Sequence, residues 1–507
     1  MKLDELVAEL EGGRTVGDDP DAEVTALAYD SRQVGPGTLF FCVPGERADG
    51  HDFGPQAAAD GAVALVVERE LEVTVPQLVV TDARAAMAPL AARFFGDPTA
   101  TLHVVGVTGT NGKTTTAFLV REILEAAGIQ SGLMGTVKQV VGGIEEEVVR
   151  TTPEAIELQG AFRRMLAAGD AACAIEVSSH AMALHRADAI HFEAAVFTNL
   201  TQDHLDFHTD MEDYFRAKRL LFEAGPGTAI VNVDDEYGRR LAGEFDCVTF
   251  SAEGAENADL VAGDVSFDAS GATFTVRLSS RGAAQAAVGT DGGVGEEHAI
   301  REELTIRTKL PGHFNVANAL GALAAALALG VEPRAAAAAL AEAPAPPGRF
   351  EPVDEGQAFT VLVDYAHTPD SLENVLRAAR RLTAGRLISV FGAGGDRDRD
   401  KRPKMGRAGA ELSDLAIVTS DNPRSEDPEA IVAEVLAGAK GAGGEVESEV
   451  DRRAAIAAAL RQAGPGDTVV IAGKGHEQGQ EFEDGRKIPF DDREVAREEL
   501  RGLGGPV

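Results

Sequence analysis

The stretch Gly106-Val107-Thr108-Gly109-Thr110-Asn111-Gly112-Lys113-Thr114-Thr115 carries the most specific chemistry in the chain. It follows the apolar run 102–107 and precedes a helical pattern of Leu119, Ile123, Leu124 and Ala127, which Gly128 ends as a C-cap. Glycines let main-chain N–H groups approach an anion, and the N-terminus of a helix adds a favourable dipole. In such a cradle Lys113 reaches the β- and γ-phosphates of a nucleotide, and Thr114 offers a hydroxyl to Mg²⁺. The spacing departs from the usual pattern: Val107 stands six residues before the lysine, and Gly106 lies one further away. A glycine-rich turn of no function is the alternative; the strand–loop–helix context speaks against it.

Two further segments carry groups of the same kind. Glu176-Val177-Ser178-Ser179-His180 follows the apolar run 171–175, so Glu176 sits near a strand end, where a Mg²⁺ carboxylate belongs. The segment 198–208 follows the apolar run 194–197 and ends on Asp203, His204, Asp206 and His208. It reads equally as a capped helix start, with Asp203 or Thr201 as the cap. Lys218, in Tyr214-Phe215-Arg216-Ala217-Lys218, is by itself an ordinary surface lysine.

These groups need a scaffold, and 507 residues predict about three domains. Residues 1–98 show short apolar runs (39–43, 64–67, 77–80) between Gly- and Asp-rich turns, the pattern of a small α/β domain. Residues 99–343 alternate strand-like and helical patterns around the phosphate loop, which predicts a parallel α/β sheet. Within them, the Gly- and Ala-rich stretch 279–297 reads as a loop inserted in a small β-meander. Residues 344–507 hold four strand candidates (359–363, 386–391, 415–419, 468–472), with helical patterns at 371–382 and 452–463. This reads as a doubly wound, Rossmann-like sheet, whose ligands bind beyond the carboxyl ends of the strands. Polar or glycine-rich motifs follow all four.

The formal net charge of −35 argues against a nucleic-acid or membrane-surface partner, since phosphate backbones need clustered Lys and Arg. No apolar run approaches the roughly 20 residues that span a bilayer. The N-terminal stretch MKLDELVAELEGG reads as a short amphipathic helix rather than a signal peptide, so a cytoplasmic protein is expected. Cys42, Cys173 and Cys247 all lie in apolar stretches and are expected to be buried, reduced thiols.

Eleven motifs follow in order: GTNGKTT, TTPE, EVSSH, TNLTQDHLDFH, YFRAK, PGHFNVANAL, PGRFE, DYAHTPDSL, GGDRDRDKRPKMG, DNPR and AGKGHE. Together they resemble the Mur ligase family over nearly the whole chain. The resemblance implies a UDP-binding domain, a central ATPase domain and a C-terminal Rossmann-like domain that binds an amino acid. It implies ATP-dependent ligation of meso-diaminopimelate to the D-glutamate of UDP-N-acetylmuramoyl-L-alanyl-D-glutamate, through an acyl phosphate, by an enzyme expected to be a monomer.

The resemblance also implies roles. Thr108, Gly109, Thr110, Asn111, Gly112, Lys113 and Thr114 cradle ATP, with Asn318 on the adenine side. Arg349 and Asp364 meet its phosphates and ribose. Thr114 and Glu176 hold one Mg²⁺; Glu176, His204 and a carbamylated Lys218 serve a second. A carbamate made from CO₂ is an anion, which explains a lysine among metal ligands. Ser31, the loop 45–50, Thr151, Thr152, Ser178 and Arg186 contact the UDP-peptide; Arg150 and Leu184 depart from the family pattern beside them. Arg397, Asp421, Asn422, Pro423, Arg424, Gly473 and Glu477 hold diaminopimelate. Arg424 pairs the far carboxylate that lysine lacks, and Glu477 meets the far ammonium. Two other readings stay open: a sister ligase adding L-lysine or another amino acid, and a non-catalytic ATP-binding regulator that needs no second metal site.

Overall fold

A computed structural model describes residues 1–503 except 9, 11, 18, 20, 21, 46, 47, 147, 149, 269 and 282–299. Most of the Gly/Ala-rich insertion, and Glu46 and Arg47 of the loop 45–50, therefore lie outside the described residues. The chain divides into two compact units. One comprises 1–106, 128–195 and 217–227; the other comprises 107–127, 196–216 and 228–507.

In the first unit, five strands pair in the order Arg14–Val16, Gln77–Val79, Ala62–Val67, Thr38–Phe41, Ala26–Ala28. All neighbours are parallel except the first pair. The strand residues alternate between two cores. Leu39, Phe41, Ala64 and Val66 pack with Ala83, Met87 and Leu90 of helix Ala83–Phe94. Phe40, Leu65 and Val67 pack with Cys42 and Ala57 on the other face. A sheet covered on both faces reads as near-continuous apolar runs, which is why these strands were legible. The same unit pairs Ser131–Met134 with Ala172–Glu176 in parallel, beside helix Ala155–Ala168.

In the second unit, Thr228–Asn232 and Cys247–Ser251 are parallel. Leu260–Asp268, Gly271–Ser279 and Ile300–Thr308 then form the antiparallel meander. Helix Lys113–Ala126 packs against His313–Ala328, which is apolar nearly all round and buried. The C-terminal sheet runs Glu351–Pro352, Thr360–Asp364, Thr468–Ala472, Leu387–Phe391, Leu415–Val418, Glu445–Ser448. Its last five strands are parallel. One face packs against helices Pro369–Leu382, Lys401–Leu412 and Pro428–Ala439, the other against Arg452–Gln462 and Asp492–Leu503. This is the doubly wound sheet the pattern predicts. Two of its strands escaped the sequence reading: the polar, exposed edge strand Glu445–Ser448 and the two-residue Glu351–Pro352. Neither buries enough side chain to leave an apolar signal.

Among the described residues, no helix is long and apolar enough to cross a membrane. Cys42, Cys173 and Cys247 are buried.

Candidate functional site

The phosphate loop lies between strand His103–Thr108 and helix Lys113–Ala126. Gly109 has φ +148° and Gly112 φ +87°. A Cβ on Gly109 would lie 1.9 Å from Thr198 Oγ1, and one on Gly112 would lie 2.3 Å from Asn318 Oδ1. Both positions thus demand glycine by backbone and by space. The segment Thr198–Thr201 clamps the loop from the side. Asn111 N donates to Asn199 Oδ1 (2.9 Å), Thr198 Oγ1 donates to the Asn111 carbonyl (2.6 Å), and Thr110 Oγ1 donates to the Thr201 carbonyl (3.1 Å). Lys113 Nζ folds back to donate to the carbonyls of Gly109 (2.9 Å) and Thr110 (2.8 Å). The Thr108 hydroxyl is buried without a hydrogen-bond partner among the described residues.

Several groups converge on this loop from later in the chain. Arg349 Nη2 donates to Thr114 Oγ1 (2.9 Å), and its guanidinium lies 4.4 Å from the centre of the Tyr365 ring. Asn111 Nδ2 donates to Asp370 Oδ2 (2.8 Å). Asn318 Nδ2 donates to Asn315 Oδ1 (3.1 Å). Asp364, whose carboxyl burial pushes up, accepts from Phe350 N (2.7 Å) and Ala366 N (2.8 Å), holding Phe350 at φ +48°. Asp364 therefore shapes the turn that carries Arg349.

The segment after Phe197 does not start a helix. The next one, Met211–Glu223, follows Asp210, whose Oδ1 accepts from Asp213 N (2.8 Å); neither Asp203 nor Thr201 is its cap. Asp203 is instead a buried carboxylate with His204 Nε2 at 3.4 Å, Lys401 Nζ at 3.8 Å and His367 Nε2 at 3.9 Å. Burial opposes its ionisation, but those three groups hold the carboxyl well below the usual range. His204 has φ +56°, with its N–H donating to Asp203 Oδ1 (3.0 Å). Lys218 is 1% exposed, where an ordinary surface lysine would extend into solvent. Among the described residues, no group of three or more His, Cys, Asp or Glu is placed to hold a metal.

At the carboxyl ends of the C-terminal strands, the loops carrying DNPR and AGKGHE meet. Lys474, fully buried, donates to Asn422 Oδ1 (2.7 Å), Glu477 Oε2 (3.0 Å) and Asp421 Oδ1 (3.4 Å). Asn422 Nδ2 donates to Glu477 Oε2 (2.9 Å). Burial works against the Asp421 charge, yet Lys474 and Arg452 hold its carboxyl below the usual range. Gly473 has φ +127°, and a Cβ there would lie 2.7 Å from Asp421 Oδ2. Arg424 sits at φ +51°, donating from Nε to Glu481 Oε2 (3.1 Å) and from Nη1 to the Gly395 carbonyl (2.7 Å). It is a held guanidinium rather than a solvent-exposed turn residue. Pro423 offers its carbonyl 1.9 Å from where a Cβ on Gly395 would stand, so these two loops touch main chain to main chain. Arg397 is exposed, with Nη1 donating to the Asp396 carbonyl (2.9 Å).

Arg452 was not foreseen. Fully buried, it donates to both oxygens of Asp492 (2.8 and 2.7 Å), to the Ser420 carbonyl (3.3 Å) and to the Ala472 carbonyl (3.0 Å). It ties together the two strand ends that bear Asp421 and Gly473. Its local sequence carries no sign of this, because every partner but Asp492 is main chain and all lie far along the chain.

In the first unit, Ser31 opens a 3₁₀ turn capped by Asp30, which accepts from Arg32 N (3.0 Å). Thr152 Oγ1 donates to the Glu176 carbonyl (2.8 Å) and accepts from Ser178 N (3.1 Å). Thr151 Oγ1 lies 3.1 Å from Thr136 Oγ1. Glu176, 1% exposed, accepts from Thr136 N (2.6 Å) and Thr136 Oγ1 (3.0 Å). Arg186 Nη1 donates to the Thr152 carbonyl (3.3 Å). Thr151, Thr152, Glu176, Ser178 and Arg186 are thus gathered around one strand end.

Known families match the chain in three blocks. These are the Mur ligase family, catalytic domain, over residues 23–95; the Mur ligase middle domain over 107–326; and the Mur ligase, glutamate ligase domain over 348–475. A UDP-N-acetylmuramoyl-L-alanyl-D-glutamate–2,6-diaminopimelate ligase of Streptomyces coelicolor is 48% identical, covering 96% of this chain and 94% of its own. The enzyme of the same name from Syntrophomonas wolfei is 45% identical, covering 99% of each. A solved structure of a ligase so named is 31% identical and covers 100% of both chains, with a TM-score of 0.68. With full-length relatives at this identity and all three family domains in order, the chain belongs to the Mur ligase family.

Proposed function

We propose that this chain ligates meso-diaminopimelate to the D-glutamate of UDP-N-acetylmuramoyl-L-alanyl-D-glutamate with ATP, forming ADP and phosphate, in peptidoglycan precursor synthesis. The observation that carries this reading is the full-length likeness to relatives that bear that activity in their names. The held guanidinium of Arg424 supports it, since a planar fork suits the extra carboxylate of diaminopimelate.

A carboxylate is a poor electrophile. Transfer of the γ-phosphoryl group to the glutamate side-chain carboxylate gives an acyl phosphate, the incoming amine attacks the carbonyl carbon, and phosphate leaves from a tetrahedral intermediate. Phosphoryl transfer of this kind needs positioning and charge neutralisation more than covalent help. Main-chain N–H groups at the start of helix Lys113–Ala126 orient the phosphates, while those of Thr110 and Asn111 are held by Asn199. Lys113, released from the Gly109 and Thr110 carbonyls, neutralises the β- and γ-phosphates, and Arg349 is placed beside Thr114 to add a second cation. Asn318 borders the adenine side, and Asp364 fixes the turn that carries Arg349.

The donor set of Thr114, Glu176, His204 and a carbamylated Lys218 is oxygen-rich and suits Mg²⁺, which would lower the charge on the phosphates when bound. Burial of Lys218 and Glu176 supports that assignment. Lys218→Ala should lose activity severely, with formate restoring part of it; full activity in the variant would remove the carbamate from the account. Ser31, Thr151, Thr152, Ser178 and Arg186 hold the UDP-peptide. Arg397, Asp421, Asn422, Pro423, Arg424, Gly473 and Glu477 surround the amino acid. Because Lys474 occupies Glu477, the far ammonium of diaminopimelate would compete with that lysine for it. This reading places the enzyme in the cytoplasm as a monomer.

The deciding experiment is a panel of amino acids with UDP-N-acetylmuramoyl-dipeptide and ATP, read by mass spectrometry. Diaminopimelate should be incorporated and L-lysine should be a poor substrate. Equal use of L-lysine would overturn the assignment.

A further inference from the structure

The function proposed above uses only Arg397 of the motif 394–406, GGDRDRDKRPKMG. Arg402, in the same motif, is fully buried near the start of helix Lys401–Leu412. Its fork grips two carboxylates and a main-chain carbonyl. Nη1 donates to Glu426 Oε2 (3.0 Å) and Glu434 Oε2 (2.8 Å). Nη2 donates to Glu426 Oε1 (2.7 Å) and the Gly394 carbonyl (3.2 Å). Arg399 also bonds Glu434 and lies 4.0 Å from Glu426. Two guanidiniums thus balance two carboxylates, and the cluster calls for no further ion.

The cluster joins two loops that each carry backbone strain. Asp396 and Arg424 have φ of +52° and +51°, left-handed backbone in residues that are not glycine. Such residues persist where their surroundings over-determine them. Here Glu426 Oε1, gripped by Arg402, also accepts from Asp396 N (2.7 Å). Asp396 accepts in turn from Ser425 N (3.1 Å) and Ser425 Oγ (2.7 Å), on the residue after Arg424. Gly395 N donates to the Asn422 carbonyl (2.9 Å) from the other side. Gly394 is the direct link: Arg402 holds its carbonyl, and a Cβ on it would lie 3.1 Å from Arg424 Nη1. The Arg424 guanidinium therefore rests on main chain that Arg402 fixes. A plain ion pair would not need an arginine here. Arg402 Nε is buried with no hydrogen-bond partner among the described residues, a cost that a lysine would avoid. A lysine could not span Glu426, Glu434 and Gly394 with one planar fork.

We infer that Arg402, acting through Glu426 and Gly394, is a positioning residue for the choice of amino acid. It sets the Arg424 guanidinium where that group meets the far carboxylate of diaminopimelate. The inference rests on the function proposed above.

The test is a double-mutant cycle on the full chain, with steady-state kinetics for diaminopimelate and for L-lysine in the presence of ATP and UDP-N-acetylmuramoyl-dipeptide. Arg402→Lys keeps the charge and loses the fork. Misplacing a recognition group by about 1 Å can cost about 100-fold, and a partial shift about tenfold. The variant should raise the KM for diaminopimelate by about tenfold and narrow the preference for it over L-lysine by the same factor. The kcat should change less, and the KM values for ATP and the UDP-peptide should not change. In an Arg424→Ala background, Arg402→Lys should cost nothing further in diaminopimelate efficiency, because the group it positions is gone. Should Arg402→Lys melt below the assay temperature, Glu426→Gln is read in the same way. A wild-type preference ratio with only the melting temperature lowered would overturn the inference and leave Arg402 a structural support. Losses that multiply in the double variant would overturn it too. A wild type that does not use diaminopimelate would instead overturn the function on which it rests.

Discussion

The phosphate loop and the DNPR loop both sit at strand ends in the second unit, yet they hold their shapes by different means. Around Gly109 and Gly112 the space for a side chain is already taken by Thr198 and Asn318, and the clamping bonds from Asn199 and Thr198 go to main chain. Around Asp421 the scaffold is charge: Lys474, Glu477, Arg452 and Asp492 are paired inside the fold. A main-chain cradle presents the same donors to any nucleotide phosphate, whatever the surface charge of the protein. A charge-built pocket is selective and conditional, because each member is costly to bury unless its partners are present. A ligase that always uses ATP but must choose its amino acid has use for both.

Substitutions can break this comparison. Lys113→Ala removes transition-state charge from the phosphate loop and almost no packing. It should lower kcat by about 10³-fold with an unchanged melting temperature, measured by phosphate release and circular dichroism. Near-normal turnover would mean that the loop does not hold the transferred phosphate. Arg452→Met should do the reverse. Leaving Asp492 buried and unpaired costs on the order of 3–5 kcal/mol, so melting should fall clearly and the KM for the amino acid should rise more than the KM for ATP. Pairing it with Asp492→Leu should recover much of the stability. If the double variant melts no higher than the single one, charge pairing is not what supports that region.

Arg424→Ala is expected to lower diaminopimelate efficiency by about 100-fold, while its slow use of L-lysine stays nearly as before. An equal loss with both amino acids would assign Arg424 a structural role instead. The smallest effect belongs to acid titration. Arg402 holds the Glu426 carboxyl down from 4.5 to about 2. Its folded-state value is depressed, so its stabilisation is present above pH 4.5 and is lost as pH falls through about 2. Glu426→Gln should flatten the fall of melting temperature with pH across that window. An unchanged slope would show that this pair contributes nothing to acid stability.

How much of this was legible follows from how local each signal is. The phosphate loop is set by contiguous residues, so strand, glycines, lysine and helix all stand in one line of sequence. The four interior C-terminal strands announce themselves because both faces are buried. Glu445–Ser448 does not, since it lies at the sheet edge with most of its side chains exposed. Asp203 reads equally as the cap of a helix, and the fold decides against that: the next helix starts only at Met211, and distant Lys401 and His367 join His204 around the carboxylate. Lys218 reads as a surface residue because burial depends on what packs over its helix. Arg452 is invisible for the same reason, as its partners lie 20 to 40 residues away.

Arg424 holds a left-handed backbone, φ +51°, that an arginine adopts only at a cost of about 1–3 kcal/mol. Glycine would relieve that cost outright, and asparagine in large part. A campaign that selects this enzyme for heat resistance alone would therefore enrich Arg424→Gly or Arg424→Asn. On the role proposed for Arg424, the winners would survive higher temperatures while discriminating poorly between diaminopimelate and lysine. Any such screen should therefore score substrate choice alongside survival.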